Sequence, residues 1–308
     1  MKDSYSYRRL TTVLIFIGLP LVLYGFWVIY PVIKTLLMSF THWDGISPTY
    51  NWVGVENFGK LFKDPAFWAA LKNNILWIVA FITIPTSIGL AIAMVLNENI
   101  RFSRFLKICY YLPMVLSFAV VGLVWSWIYH PASGLLNSTL SGFLRALAAL
   151  GAKVDPEAPF RIGWLSNPRL VLWAIIGAGI WRQVGYVMIL YLSGLKTLNP
   201  NVIEAGRVDG AEGWTLFRHI IFPMLAPVTT IVVVLTIIDA LRVFDIVYVM
   251  TRGGPFHSSE VLANYMYIQS FHNYRWGYGS AIGVILFLIS LVFIWIYLRR
   301  IVKEEQAE

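Results

Sequence analysis

Six stretches of this chain stay apolar for as long as a helix needs to cross a hydrocarbon core of roughly 30 Å, which takes about 20 residues. They run from Leu10 to Ile33, Asn74 to Leu96, Ile108 to Tyr129, Leu170 to Leu192, Leu225 to Met250 and Ser280 to Leu298. Lipid offers no partner to a bare N–H or C=O, so only helices and closed barrels cross it, and runs of this length select helices. The fold class expected is all-α: a polytopic membrane protein with six transmembrane helices. Composition agrees, with 58% hydrophobic and 13% charged residues among 308 and a mean hydropathy of +0.68. Pro20, Pro85 and Pro113 lie inside these runs and predict kinks, which neighbouring helices can accommodate.

An even number of spans puts both termini on one side, and Lys/Arg placement chooses the side. Lys2, Arg8 and Arg9 precede the first span; Arg101, Arg104 and Lys107 fill the short second connection; Arg299, Arg300 and Lys303 follow the last. The opposite loops, Lys34 to Asn73, His130 to Arg169 and Thr251 to Gly279, are longer and poorer in cations. Cytoplasmic N- and C-termini are therefore expected, with Ser193 to Phe222 on the same side. The first stretch, following Arg8 and Arg9, resembles a signal peptide, but it is too long and lacks a small-x-small site, which predicts a retained span. In the outer loops Trp43, Trp52, Trp68 and Trp164 fit an interfacial aromatic belt better than a docking role. Without a Gly/Ser linker, residues 1–308 read as a single domain, and no internal repeat in register is visible.

The net charge of +8 sits in short clusters beside apolar runs, with no basic stripe, so membrane lipid and not nucleic acid is the partner it implies. Cys109 is the only cysteine, which leaves no disulfide and no thiolate metal set. The five histidines are scattered, and no cluster of His, Asp and Glu has acid–base or metal-ligand spacing. No catalytic residue, metal site or enzymatic activity is expected. A GxxxxGK[ST] phosphate cradle is also missing, so the chain does not bind ATP in that manner itself.

Between the fourth and fifth spans, Glu204 to Pro227 reads EAGRVDGAEGWTLFRHIIFPMLAP. Asn199-Pro200 starts a helix, Val202, Ala205 and Val208 give it an apolar face, and Gly210 or Gly213 ends it. A second amphipathic segment runs from Trp214 through Phe217, Ile220 and Ile221 to Pro223. Residues 193–223 thus predict a cytoplasmic helical hairpin presenting small residues and acids, which suits docking.

The pattern E-A-x-x-x-D-G-A, then an aromatic and a Pro-terminated apolar helix, resembles the EAA loop of ABC importer permeases. Glu204, Ala205, Asp209, Gly210, Ala211, Phe217 and Pro223 fall at that family's spacing, and Gly206 stands where it often has another Ala. The stretches YPVIKTLLMSF, YYLPMVLSFAVVGLVWSWIY and FDIVYVMTRGGP are similar to permeases of the maltose and glycerol-3-phosphate type, the last to the first of their two permease kinds. The resemblance implies half of a carbohydrate pathway, with these eight loop residues forming coupling helices seated on an ATPase. It implies a second, non-identical permease subunit, two ATP-binding cassette ATPase subunits that carry the ATP and Mg, and an extracytoplasmic substrate-binding protein. This chain would hold no cofactor.

Ionisable residues inside a membrane are costly and point to function. Arg182 lies in the fourth stretch, and Asp239, Arg242 and Asp245 lie in the fifth. Arg182, Gln183 and Tyr186 share one helix side, as do Thr236, Asp239 and Arg242. Alignment on the loop places Gln183, Tyr186, Thr236 and Asp239 where the maltose-type relatives contact sugar, and Trp181 would add an aromatic platform. Arg182 also suits a gate or a carboxylate's partner, and the three fifth-stretch charges could instead neutralise one another. The four charges sum to zero, which favours a neutral oligosaccharide, glycoside or polyol. The alternatives are a glycerol-phosphate-type substrate or an ion-coupled secondary carrier, which would need no docking loop.

Overall fold

The computed structural model describes residues 16–98, 101–150 and 161–305. The start of the first expected span at Leu10, the cations Lys2, Arg8 and Arg9, and the side chains of Arg300 and Lys303 lie outside the described residues. In order the elements are α1 (Phe16–Met38), β1 (Thr41–His42), β2 (Asn51–Trp52), α2 (Glu56–Leu61), α3 (Pro65–Asn97), α4 (Ser103–Val115), α5 (Phe118–Ile128) and α6 (Leu135–Ala149). There follow α7 (Val171–Leu195), α8 (Pro200–Val208), α9 (Gly213–Met224), α10 (Ala226–Leu241), α11 (Asp245–Met250), α12 (Leu262–Tyr267) and α13 (Trp276–Glu305). Two compact units result, Met1–Asp64 with Tyr265–Ile289, and Pro65–Asn264 with Ser290–Glu308.

Among the described residues α1, α3, α7 and α13 are each long and apolar enough to span a membrane, and two bent pairs, α4 with α5 and α9 with α10, meet the test as pairs. The chain is therefore a helical membrane protein with four to six candidate spans. The first helix runs to Met38, five residues beyond the Ile33 expected from sequence, because Lys34 sits in an otherwise apolar turn. Pro85 lies within the unbroken α3.

In the first unit α1 turns its large apolar side chains outward, Phe16 being 75% exposed and Trp27 70%, as a helix bathed in lipid does. An antiparallel hairpin follows, pairing Thr41 with Trp52 and His42 with Asn51. The buried Asn57 side chain holds it to α2 by donating to the Ser39 and Thr41 carbonyls at 2.9 and 2.8 Å. The Asp64 carboxylate accepts hydrogen bonds from the hydroxyls of Tyr265 and Tyr278, and the Trp43 and Trp276 rings lie 5.7 Å apart.

The core of the second unit forms where α3 and α7 pack together, around Leu90, Ala93, Val187, Met188 and Tyr191. Water-driven burial does not operate between lipid-bathed helices, so close approach through small residues takes its place. Gly185 shows the principle: a Cβ there would stand 2.1 Å from the Tyr110 carbonyl oxygen, so only glycine lets α7 meet α4 at this distance.

Two expected spans are broken. Ile108 to Tyr129 is not one continuous helix, since α4 and α5 meet at 102°. Pro113 lacks an N–H to extend the ladder, Leu116 and Ser117 adopt extended backbone, and the Ser117 hydroxyl caps α5 by accepting from the Val120 N–H at 3.3 Å. Leu225 to Met250 is likewise interrupted: α10 stops at Leu241 and α11 begins at Asp245, with Arg242, Val243 and Phe244 between. Irregular backbone at membrane depth persists only where it is buried in protein or lines an aqueous cavity.

Beyond α11, the loop to α12 is tied down by amides. Asn73 donates to the Glu260 carbonyl at 2.8 Å, while Asn74 accepts from the Leu262 N–H at 2.8 Å. The Glu260 carboxyl is 2% exposed and accepts from Asn264 at 2.5 Å and from His257 at 3.2 Å. Burial pushes this carboxyl above its ordinary range, and the hydrogen bonds from Asn264 and His257 pull it part of the way back. Such a group binds its proton more tightly folded than unfolded, so its contribution to stability falls as pH rises out of the ordinary carboxylate range toward the raised value. Glu260→Gln, permanently neutral, should flatten that decline. Melting temperatures of the two proteins measured from acid to neutral pH should converge at the acid end; parallel curves would contradict this.

Candidate functional site

Both helix breaks open onto one cavity of about 420 Å³. Met114 and Phe118 flank the first break, Arg242, Val243, Phe244 and Asp245 form the second, and Arg182, Tyr186 and Asp239 complete the wall. Of the residues expected in a substrate pathway, Arg182, Tyr186, Asp239, Arg242 and Asp245 are thus brought together. Gln183 and Thr236 are fully buried and do not line the cavity. Gln183 stands behind it, donating to the Asp239 carboxylate at 3.2 Å, and its own carbonyl oxygen is buried without a hydrogen-bond partner. The Thr236 hydroxyl is returned to its own helix, donating to the Val232 carbonyl at 2.6 Å.

Arg182 answers the cost of the first break. Its Nε donates to the Leu116 carbonyl at 2.8 Å, and its guanidinium lies 4.2 Å from the centre of the Phe118 ring. A carbonyl freed at the bend is thereby satisfied, and the cation is stabilised by the ring face. Among the described residues Arg182, Asp239, Arg242 and Asp245 form no ion pair, so the four cavity charges do not neutralise one another by contact. The wall presents two cations, two carboxylates, a phenol and two phenyl rings, a surface that can grip hydroxyls and stack on an apolar ring face. Met114, Phe118 and Phe244 were missed in the sequence; Pro113 followed by the good N-cap Ser117 marks the first break, but nothing in the side chains themselves singles out these three.

Residues 200–224 form two short helices joined by a turn. In α8, Asn199 caps the helix by accepting from the Asn201 N–H at 3.0 Å, and Pro200 opens it. Asp209 ends it, and Gly210 follows at φ +86°, a left-handed turn that glycine adopts freely. Gly206 is the buried residue of α8, and a Cβ on it would lie 2.1 Å from Cδ1, the far end of the Ile220 side chain on α9. The apolar face of α8, Val202, Ala205 and Val208, is exposed, Val208 to 87%. Glu204 lies exposed on α8 and Asp209 and Gly210 lie exposed just past its end, whereas Ala211 and Phe217 are half-buried and Pro223 is exposed at the end of α9. The Phe217 ring packs between those of Trp214 and Phe222 at 5.1 and 5.7 Å.

Comparison with known proteins gives these features a setting. Residues 84–301 match the family of binding-protein-dependent transport system inner membrane components. The chain is 35% identical to a probable ABC transporter permease protein of Pyrococcus horikoshii, covering 96% of this chain and 97% of that one. It is 34% identical to the xylose/arabinose import permease protein XacH of Haloferax volcanii, over 91% of this chain and 85% of that one. Its fold is similar to that of a chain in a bacterial ABC transporter involved in import of the acidic polysaccharide alginate, with TM-score 0.81 and 20% identity, covering 97% and 98%. These likenesses do not favour the ion-coupled carrier. With a family match across most of its length and relatives that align nearly end to end, the chain belongs to the binding-protein-dependent transport family and is a multi-pass inner-membrane permease of a prokaryotic ABC transporter.

Proposed function

We propose that this permease forms half of the import pathway for a neutral carbohydrate, an oligosaccharide, glycoside or polyol, and transmits the work of ATP hydrolysis through residues 193–223. The observation that carries the reading is the outward face of α8, where Val202, Ala205 and Val208 stand uncovered beside Glu204 and Asp209. An apolar strip edged with acids on a rigid hairpin fits a groove on an ATPase subunit. Rigid-body motion of that subunit then drives the pathway between its two openings. In this reading residues 1–308 work as one permease domain with six spans, the third running through α4 and α5 and the fifth through α10 and α11, and with both termini and the hairpin in the cytoplasm. A second, non-identical permease, two ATPase subunits carrying ATP and Mg, and an extracytoplasmic binding protein complete the particle.

The cavity supplies the carbohydrate part of the reading. Asp239 and Asp245 accept from hydroxyls, Arg182 and Arg242 donate to ring and hydroxyl oxygens, and Phe118, Tyr186 and Phe244 offer ring faces. Its formal charge sums to zero, which suits a neutral sugar better than a phosphorylated one, and a relative named for xylose and arabinose import agrees. The test is uptake into proteoliposomes that hold the assembled transporter, with ATP inside and binding protein outside. Labelled neutral sugars should accumulate only with ATP; accumulation of glycerol phosphates in their place would contradict the substrate assignment.

A further inference from the structure

A second and larger cavity, of about 980 Å³, lies between α3 and the hairpin, and nothing above uses it. One wall is a single stripe of α3, Ser87, Leu90, Ala91 and Met94, ending at Glu98 just past the helix. The other is built of Leu216, Phe217, Ile221 and Phe222. From Ser87 to Glu98 is eleven residues, or about 16 Å of helix rise. That is close to half of a hydrocarbon core of roughly 30 Å, a length that matches the acyl chains of one leaflet.

The groove also carries charge of both signs. Glu98, Glu212, Arg207 and Arg218 all line it, and among the described residues none of the four takes part in an ion pair. An apolar trough as long as one leaflet's acyl chains, lined also by two carboxylates and two guanidinium groups, matches an amphiphile whose head carries both an anion and a hydrogen-bonding cation. We propose that the groove binds a phospholipid with an ethanolamine head, its phosphate on Arg207 and Arg218, its ammonium on Glu98 and Glu212, and an acyl chain along Leu90 and Met94.

The chemistry separates this lipid from its neighbours in a membrane. A phosphate and a guanidinium form charge-assisted, often bidentate hydrogen bonds. An ethanolamine ammonium keeps three N–H donors for the carboxylates, whereas a choline head has none and a glycerol head adds no cation, leaving both acids unanswered. The leaflet facing the cytoplasm follows from the orientation proposed above, but the groove and its head-group preference do not depend on it. Because the trough touches Phe217 and Ala211 of the hairpin, an occupied groove would brace the element that moves during transport.

The full chain, purified from membranes with the subunits that accompany it, is placed in nanodiscs of equal phosphatidylethanolamine, phosphatidylcholine and phosphatidylglycerol, and retained lipid is counted by native mass spectrometry. Phosphatidylethanolamine should be retained over the other two by about tenfold, the discrimination that a charge-assisted contact supplies. Glu98→Lys should move the preference to phosphatidylglycerol, a gain that misfolding does not imitate, and Arg218→Gln should lower retention of all phospholipids together. Equal retention of the three heads, a preference untouched by Glu98→Lys, or a polypeptide segment seated in the groove would overturn the assignment. ATP-driven uptake by the same samples reports on the transport reading separately.

Discussion

Asp209→Lys and Glu204→Lys should each leave the chain in the membrane at its normal level and cut substrate-stimulated ATP hydrolysis by the assembled transporter at least tenfold. Both side chains stand exposed on α8 and its end, where a surface charge costs the chain itself little to change. In a docked interface the arithmetic differs, because a reversed charge left unpaired against a complementary partner costs about 2–5 kcal/mol, well over the 1.4 kcal/mol that a tenfold loss represents. The size of the effect therefore depends on whether this face is buried by another subunit. Immunoblots of membranes give the level of the chain, and phosphate release from the reconstituted complex gives coupling. Wild-type coupling in both variants would remove the docking role of the hairpin.

Asp239→Ala should lower uptake of the transported sugar by about tenfold or more while the complex assembles and hydrolyses ATP at its basal rate. Two losses combine. A carboxylate facing the cavity makes charge-assisted hydrogen bonds worth about 1.5–3 kcal/mol each. Behind it Gln183 would lose the partner of its amide at 3.2 Å, having no partner for its carbonyl oxygen already. Asp239→Asn keeps the shape and restores a bond to Gln183, so it should recover assembly fully and uptake in part. An unchanged KM and rate in Asp239→Ala, in the proteoliposome assay, would show that sugar does not pass this carboxylate.

The apolar runs were readable because a membrane helix needs about 20 predominantly apolar residues in a row, and Val171–Leu195 fell within a few residues of the expected stretch. Where the two spans break was not readable from hydropathy, since Leu116, Val243 and Phe244 are as apolar as any helix residue. The first break has identifiable causes: Pro113 withholds a donor, Ser117 restarts the ladder, and a guanidinium 66 residues away in sequence takes the orphan carbonyl. Arg182 was suspected for its charge, but its bond to Leu116 could only come from the fold. The charged positions Asp239, Arg242 and Asp245 announced themselves by their cost in lipid, whereas Phe118 and Phe244 are silent in a chain with 16% aromatics.

The hairpin was readable for the opposite reason, its acids, glycines and proline being unusual beside two apolar stretches. Which residue of α8 meets α9 was not readable, because it is Gly206, which has no side chain, while the regular apolar stripe of Val202, Ala205 and Val208 lies exposed. A stripe that the chain itself leaves uncovered is the part of this molecule that asks for a partner.

That partner can be sought directly. Cys109 is the only cysteine in the chain, so Cys109→Ser with Ala205→Cys leaves a single thiol on the outward face of α8 for a photo-activated cross-linker. In inside-out vesicles holding the complete transporter, the label should enter from the cytoplasmic side and capture an ATPase subunit, more strongly in one nucleotide state than in another. Labelling from the opposite face of the membrane, or capture of no nucleotide-hydrolysing chain in any state, would contradict the account.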